Sequence, residues 1–369
     1  MKKSNITMAG VTSGVGSMLI GGHVMGLKIL GNVEWRRYYN TGTFEKYFKA
    51  PFTEDYEDIK HLKGANIVMV HDDCGEFSGL NLLKESQNKS DEEKMGMIPT
   101  TVKAIQDIKP DFFAMDNLPK MLTLLPIQWW LDKFPKYDLH FEWVSNHHYG
   151  NPQIYRKRLF VIGSKKKYKW KFIPDEVPQE VDLEDRLKGC EYLPNHIFPD
   201  PSDRIKNHFK IYDPRNPDKE YNTHGERAEF IMSMPPEEKR RGLLYNSPVY
   251  GPRIRPGTSP LRKDFAPVLS ATNRLFHFNT GYQLTIRERA RIQGFPDNFE
   301  FVLKPADYWN GKGFKQTGKS MPVEFTTYLT KQFVRALQGK KPIKASGQRL
   351  IPPNRFIEEA KHVQNSNKG

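Results

Sequence analysis

The chain has 369 residues, 37% of them hydrophobic and 12% aromatic, which is typical of globular proteins and excludes the disordered class. Its length predicts about two domains. Lysine and arginine outnumber aspartate and glutamate by 57 to 43, so the formal net charge is +14. An excess of this size favours a polyanionic partner, nucleic acid above all, over a merely solvated basic surface.

Membrane and disulfide-stabilised classes are also excluded. No apolar run reaches the length of a membrane span, and the N-terminal segment lacks the apolar core of a secretion signal. Cys74 and Cys190 are the two cysteines of the chain, too few for a disulfide framework or a dedicated zinc site, and we expect no metal. The expectation is a cytoplasmic protein whose thiols stay reduced.

Glycines follow the first predicted element. Residues 5–10 form a pattern typical of a short strand, and Gly10, Gly14 and Gly16 interrupt it before an apolar stretch that predicts a helix. A strand, a glycine-rich turn and a helix in this order allow the backbone to approach a nucleotide-like ligand. Glycines also form ordinary loops, so this pattern alone does not establish a binding site.

The second predicted strand covers residues 28–33 and ends at Glu34 and Trp35. An acidic residue at the end of the second strand is where such folds hold ribose hydroxyls. Trp35 has equal grounds for lying against an adenine or for packing in the core. Asp58, which follows a later turn, is a candidate for the adenine edge.

The third predicted strand, residues 67–70, ends in a polar turn that contains Cys74. The carboxyl ends of parallel strands are where open α/β sheets bind their substrates. A lone cysteine is nevertheless most often a small packed hydrophobe, and on this segment alone that interpretation is favoured. A charged loop is predicted over residues 82–96.

The remaining N-terminal elements alternate between helix and strand. A helix is predicted over residues 101–108 and a strand over 112–115, which ends at Asp116, and further strands are predicted over 138–144 and 159–162. This alternation predicts an α/β fold with a mostly parallel, Rossmann-like sheet.

The sequence changes character after Ser164. Lysines alternate with aromatic residues over 165–172, which suits a polynucleotide surface and equally a solvated strand face. A second, smaller and irregular domain is predicted beyond this point. Thr285 and Glu288 predict a capping box at the start of a helix over 285–293, and the final amphipathic helix is predicted over 323–337.

Two long motifs, LTIRERARIQGFPDNF (284–299) and KQTGKSMP (315–322), are the most distinctive parts of the sequence. Three shorter ones are CGEFS (74–78), MDNL (115–118) and PQIYRKR (152–158). With these motifs the chain resembles the C5-cytosine DNA methyltransferase family over roughly residues 5–338.

The resemblance implies a reaction and roles for named residues. Cys74 would add to carbon 6 of a cytosine flipped out of duplex DNA, and Asp116 would bond to N3 of the ring. Arg158 in the first place, and Arg156 in the second, would hold O2, with phosphate contacts or surface charge as the alternative for both. The donor would be S-adenosylmethionine and the enzyme a monomer.

The resemblance also implies two sets of binding residues. Those for the donor are Met8, Gly10, Gly14, Gly16, Glu34, Trp35, Asp58, Asp73, Lys319 and Ser320. Those for DNA are Ser78, Gln153, Lys165, Lys167, Arg253, Arg255 and Ser270. Residues 1–164 with 316–340 would form the catalytic and donor-binding domain, 165–315 the DNA-recognition domain and 341–369 a polar tail. An RNA substrate remains an alternative.

Several positions depart from the family pattern. Asp72 and Asp73 precede Cys74 where prolines are usual, and a carboxylate beside a thiol disfavours the thiolate. A catalytically inactive DNA-binding relative is therefore an alternative. Asp116 is one methylene shorter than the usual glutamate, and the arginine motif carries an extra residue after Gln153.

Lys319 is the most informative departure, because it replaces the asparagine of the family's QxGNS motif next to the donor pocket. An ammonium there would repel a sulfonium unless Asp72 or Asp73 compensates it. We hypothesise that Lys319 pairs with the carboxylate of carboxy-S-adenosylmethionine, which would give 5-carboxymethylcytosine. An internal lysine–aspartate pair that leaves ordinary methyl transfer intact is the favoured alternative.

Overall fold

Two compact units make up the chain in a computed structural model. Unit 1 comprises Met1–Gly150, Arg156–Gln179 and Ser320–Gly369, and unit 2 comprises Asn151–Tyr155 and Glu180–Lys319. The structure describes residues 1–72, 95–153, 156–174, 181–196, 210–212, 243–246, 255–258, 266, 268–271, 275, 284–304, 307 and 312–344.

A seven-stranded sheet forms the centre of unit 1. Its strands in chain order are β1 (Thr7–Val11), β2 (Lys28–Val33), β3 (Phe52–Thr53), β4 (Ile67–His71), β5 (Phe112–Asn117), β6 (Tyr137–Ser145) and β7 (Lys157–Lys165). Their spatial order is β3-β2-β1-β4-β5-β7-β6. The first five strands pair in parallel, whereas β7 lies antiparallel between β5 and β6. The predicted α/β class with a mostly parallel sheet is confirmed.

Helices flank the sheet and also occur in unit 2. In chain order they are α1 (Ile20–Val24), α2 (Thr43–Phe48), α3 (Ile98–Ile108), α4 (Met121–Leu124), α5 (Ile127–Lys133), α6 (Leu183–Leu187), α7 (Ile286–Ile292), α8 (Lys312–Gly318) and α9 (Val323–Leu337). Among the helices of the described ranges, none is both long and apolar enough to cross a lipid bilayer.

The central strands are buried on both faces, which explains their continuous apolar sequence. Every residue of β4 and β5 is buried, including the polar residues at their carboxyl ends. Such runs are characteristic of parallel strands covered by helices on both sides. Because charged side chains are rarely buried without partners, the polar residues at these strand ends require partners at the edge of the sheet.

The last helix, α9, returns to unit 1 and covers one face of the sheet. Its buried stripe includes Phe325, Leu329 and Phe333, and the Phe333 ring stacks on Phe112 of β5 at 4.8 Å between centroids. A Cβ at Gly21 of α1 would lie 2.6 Å from the Cα of Thr327, so only glycine permits α1 and α9 to approach this closely.

The segment of alternating lysines and aromatics extends β7 and lies in unit 1. Trp170 and Phe172 are buried, with Trp170 5.3 Å from Phe333 and Phe172 6.2 Å from Phe325 between ring centroids. The intervening Lys171 is exposed. The alternation therefore directs the aromatic side chains toward the core and the lysine side chain between them toward solvent.

Unit 2 contains a small antiparallel sheet and a separate core. The sheet has the order β10 (Arg255–Thr258), β9 (Leu243–Asn246) and β8 (Lys210–Tyr212). The core gathers apolar side chains from α6, α7 and the segments before them, among them Leu183, Leu187, Leu269, Leu284 and Ile292. The predicted capping box at α7 is confirmed, since Thr285 and Glu288 exchange both of its hydrogen bonds.

Candidate active site

The carboxyl ends of the parallel strands place the candidate residues of unit 1 along one edge of the sheet. Val11 of β1 pairs with Val33 of β2 and Val70 of β4, and His71 pairs with Asp116 of β5. The glycine-rich turn, Glu34 and Asp72 follow these strand ends directly. Antiparallel β7 begins at this edge, which brings Arg158 beside β5.

The glycine-rich turn after β1 is constrained by its own packing. Gly14 and Gly16 have φ angles of 61° and 87°, and Thr12 has a φ angle of 51°. A Cβ at Gly10 would lie 2.3 Å from the hydroxyl of Ser13, and one at Gly16 would lie 2.5 Å from the ring of Phe48. These glycines are therefore required by the turn itself, whatever ligand it holds.

The Glu34 carboxylate is fully buried and carries four hydrogen bonds. Oε1 accepts from the backbone N of Arg36 at 3.0 Å and from its Nε at 2.7 Å. Oε2 accepts from the backbone N of Gly14 at 2.9 Å and from Nη2 of Arg36 at 2.7 Å. A carboxylate has about four acceptor positions, so ribose hydroxyls would compete with Arg36 for Glu34.

Arg36 joins three strand ends through one buried guanidinium. Its Nη2 also donates to the carbonyls of Thr12 at 2.9 Å and His71 at 3.1 Å. Burial opposes its charge, yet Tyr39 and Glu34 raise the pKa of Arg36 above its ordinary value, so the guanidinium stays protonated. The ion pair therefore fixes the glycine turn and the end of β4 relative to each other.

Trp35 and Asp58 are accessible, unlike Glu34. The Trp35 side chain is 40% exposed, and Asp58 is also exposed. An exposed indole next to a glycine-rich turn fits the face of a nucleoside base. Met8, in contrast, is fully buried in β1, and its sulfur lies against Gly22 of α1.

Asp116, His71 and Arg158 form a buried polar group where β4, β5 and β7 meet. Nδ1 of His71 lies 2.5 Å from Oδ1 of Asp116, and Nε of Arg158 lies 3.7 Å from Oδ2. The side chains of Asp116 and Arg158 are 1% and 12% exposed. Within the part of the chain that the structure describes, Oδ2 of Asp116 accepts no hydrogen bond.

Arg156 bonds to backbone rather than to this group. Its buried Nη2 donates to the carbonyl of Ser320 at 2.6 Å. The next residue, Met321, donates its N–H to the hydroxyl of Ser17 at 3.1 Å. Arg156 thereby anchors the segment before α9 beside the helical turn that follows the glycines.

Asp72 is also buried and has a defined partner. Its Oδ2 accepts from the hydroxyl of Thr101 in α3 at 3.0 Å. This bond attaches Asp72, the first residue after β4, to α3, which packs on the sheet.

Within unit 2, Gln153 and Ser270 have defined contacts. The Gln153 amide donates to Asn151 at 3.1 Å and to Gln293 at 2.7 Å, and its oxygen accepts from the N–H of Leu269 at 2.8 Å. The carbonyl of Ser270 accepts from Arg289 at 2.6 Å.

Three lysines are predicted to bind the donor or DNA, and the structure describes all three. Lys319 follows α8 directly and is partly buried, with its backbone N–H bonded to the carbonyl of Lys315 at 3.0 Å. In unit 1, Nζ of Lys165 and Nζ of Lys167 lie 3.2 and 3.3 Å from Oδ1 of Asp111.

Some predicted site residues lie outside the described ranges. These are Asp73, Cys74, Ser78 and Arg253. Arg255 is described only as backbone, in β10.

Sequence reasoning missed His71 and Arg36. A histidine at the last position of an otherwise apolar strand was a signal for the first, since the strand places it beside the following acidic turn. For Arg36 the signal was weaker, because an arginine after an acidic residue is usually a solvated charge.

Comparisons with known proteins agree with these features. The family model described as C-5 cytosine-specific DNA methylase matches residues 6–335. The chain is 25% identical to the Type II methyltransferase M.MthTI of Methanothermobacter thermautotrophicus, over 91% of this chain and 99% of the relative. It is 24% identical to the Type II methyltransferase M.FnuDI of Fusobacterium nucleatum, over 66% of this chain and 70% of the relative.

A solved structure of similar fold is the Entamoeba histolytica methyltransferase EhMeth. Its TM-score with this chain is 0.58 at 12% identity, and the match covers 91% of this chain and 99% of that one. At this identity the likeness shows a shared fold.

Proposed function

The chain belongs to the C-5 cytosine-specific DNA methylase family, and we propose that it is a DNA cytosine-5 methyltransferase that flips its target cytosine out of duplex DNA. The observation that carries this proposal is the buried Asp116 carboxyl at the end of β5, with Arg158 beside it. This acid–arginine pair lies at the edge of the sheet where α/β enzymes bind their substrates.

Each residue has a chemical task in this proposal. Carbon 5 of cytosine is a poor nucleophile until a thiolate adds at carbon 6, and Cys74 is the candidate for that addition. Asp116 bonds to N3 through Oδ2 and helps the ring to accept electron density. The guanidinium of Arg158, half-buried beside this carboxyl, holds O2 of the same ring.

The donor proposed is S-adenosylmethionine, which supplies an electrophilic methyl group on a sulfonium. Trp35 would lie against the adenine and Asp58 at its edge, because both side chains are accessible. The ribose would be held near the glycine turn, where it shares Glu34 with Arg36. Arg156 supports the donor side indirectly, through its bond to Ser320.

Duplex DNA is the proposed partner, and the protein would act as a monomer in the cytoplasm. The net charge of +14 supports a polyanionic substrate. A base in a duplex is out of reach of a buried carboxyl, so the target has to leave the stack. We propose that unit 2 contributes the DNA-recognition surface. Competition between duplex DNA and tRNA tests the RNA alternative.

A mechanism-based trap tests the proposal. Duplex DNA with 5-fluorocytosine at the target should form a denaturant-stable adduct with the wild type in the presence of S-adenosylmethionine. Cys74→Ala should abolish the adduct, whereas Cys190→Ala, a buried cysteine of unit 2, is the matched control and should leave it intact. Absence of an adduct in the wild type with every donor would favour the inactive DNA-binding relative suggested by Asp72 and Asp73.

Carboxymethyl transfer is a second candidate, favoured by Lys319 at the position of the motif's asparagine. Here Lys319 would bind the carboxylate of carboxy-S-adenosylmethionine, and the product would be 5-carboxymethylcytosine. Intact-mass analysis of duplex DNA incubated with each donor separates the two reactions. Gain of a methyl group only, whichever donor is offered, would eliminate carboxymethyl transfer, and Lys319→Asn should then behave as the wild type.

A further inference from the structure

His71 and Asp116 form a close pair in the interior of unit 1. Both residues are buried, at 4% and 1% exposure, and they are register partners on the adjacent parallel strands β4 and β5. The Nδ1 to Oδ1 distance is 2.5 Å. This is within hydrogen-bond distance, and a hydrogen bond to a carboxylate is stronger than one between two neutral groups.

The pair makes the two oxygens of one carboxyl inequivalent. Oδ1 is bonded to His71, whereas Oδ2 is buried without a hydrogen bond from any residue that the structure describes. The Nε of Arg158, at 3.7 Å, is beyond hydrogen-bond length from Oδ2. A buried acceptor without a partner is destabilising, so its persistence points to a ligand atom that completes it.

Rotation of an aspartate carboxyl about χ2 is weakly restricted by its own covalent structure. The side chain of Asp116 is one methylene shorter than the family's usual glutamate, and a hydrogen-bond partner on Oδ1 is needed to hold Oδ2 in one direction. The backbone of His71 is itself fixed, because its carbonyl accepts from Arg36 at 3.1 Å. With its backbone held and its side chain only 5% exposed, the imidazole has little room to move away from the carboxyl.

We propose that His71 is a positioning residue that holds Asp116 through Oδ1 and so directs Oδ2, which accepts no hydrogen bond from the described residues, at the pyrimidine ring. This inference rests on the proposed cytosine-5 methyltransferase activity and extends it to a residue outside the motifs of the sequence. His71 touches neither the ring nor the donor in this arrangement. Its effect is confined to the orientation of one carboxyl.

Two substitutions separate positioning from packing. His71→Val fits a strand but leaves Oδ1 without a partner, and it should lower kcat by about 10- to 100-fold, as expected for loss of a charge-assisted hydrogen bond. KM for DNA and for the donor should stay within about threefold of the wild type, because neither contacts His71. His71→Asn keeps an N–H near the position of Nδ1 and should recover kcat to within about fivefold of the wild type.

A matched control and a spectroscopic readout complete the experiment. His140→Val removes a half-buried imidazole from β6 of the same sheet and should leave kcat unchanged. In the free protein, the Nδ1 resonance of His71 should shift when Asp116 is replaced by Asn. This measurement needs no activity and remains informative if His71→Val does not fold.

The outcomes distinguish failure of the positioning role alone from failure of both proposals. Three results would overturn the positioning role and leave the methyltransferase proposal standing. They are a wild-type kcat in His71→Val, equal losses of kcat in the Asn and Val variants, and an Nδ1 resonance that does not change in Asp116→Asn. A wild type that transfers no group to DNA would overturn the methyltransferase proposal and this inference with it, even where the resonance shows the pair.

Discussion

At the scale of single residues, the candidate site is built from buried charges that bond to backbone as much as to each other. Arg36 contacts Glu34 and two carbonyls, and Arg156 contacts the carbonyl of Ser320. Arg156 is a candidate for substrate contact in the sequence, yet its geometry, like that of Arg36, is that of a structural support. Better candidates for contact with ligands are the exposed indole of Trp35 and Oδ2 of Asp116, which accepts no hydrogen bond from the residues that the structure describes.

Arg36 gives a residue-scale prediction about stability. Arg36→Met should lower the free energy of unfolding by about 3–5 kcal/mol, because it leaves the buried Glu34 carboxylate without its cation. Arg37, the exposed neighbour, provides the matched control, and Arg37→Met should change stability by less than about 0.5 kcal/mol. Urea unfolding curves measure both variants. A loss below about 1 kcal/mol in Arg36→Met would contradict the structural role of the pair.

At the scale of elements, sequence patterns located six of the seven strands of the central sheet but only four of the nine helices in the described ranges, and they misjudged polar strand ends. The predicted bounds of β2 and α9 match the structure, because their apolar periodicity ends where the element ends. β5 runs to Asn117, two residues beyond the prediction, since Asp116 is paired with His71 and remains in the strand. A local sequence pattern places the end of a strand at a charged residue, because it contains no information about a partner 45 residues away.

The capping box of α7 gives an element-scale prediction about pH. Burial raises the pKa of Glu288 from its ordinary 4.5 to about 7, although its hydrogen bonds with Thr285 act in the opposite direction. Between these values the unfolded chain binds fewer protons than the folded one, so stability falls as pH rises through this window. The loss amounts to at most about 3 kcal/mol above pH 7 and is absent below pH 4.5.

Glu288→Gln tests this account, because glutamine keeps an acceptor for the N-cap but does not ionise. The variant and the wild type should have similar stability near pH 4.5, and the variant should be the more stable by up to about 3 kcal/mol near pH 8. The exposed Glu57 supplies the control, and Glu57→Gln should show no such divergence. Parallel curves for wild type and Glu288→Gln across this range would refute the assignment.

At the scale of the whole molecule, the fold class followed from the sequence because alternating helices and strands with a glycine turn are local signals. The antiparallel insertion of β7 between β5 and β6 could not be predicted from the sequence, because strand order depends on long-range pairing. The same limit applies to the candidate site. Asp116 and Arg158 were found through motifs, whereas the support from His71 and Arg36 required strands to be placed side by side.

DNA binding gives the prediction at this scale. Lys165 and Lys167 share the single carboxylate of Asp111, but the Lys165 side chain is 31% exposed and that of Lys167 is 62% exposed. Lys165 also donates to the carbonyl of Lys109, so we expect it to be structural and Lys167 to contact phosphate. Lys167→Gln should reduce the salt slope of DNA binding by about 1 and Lys165→Gln should not. Asp111→Asn should strengthen DNA binding, because it removes the carboxylate that both lysines share. Equal salt slopes in all three variants and the wild type would mean that DNA does not contact this part of the surface.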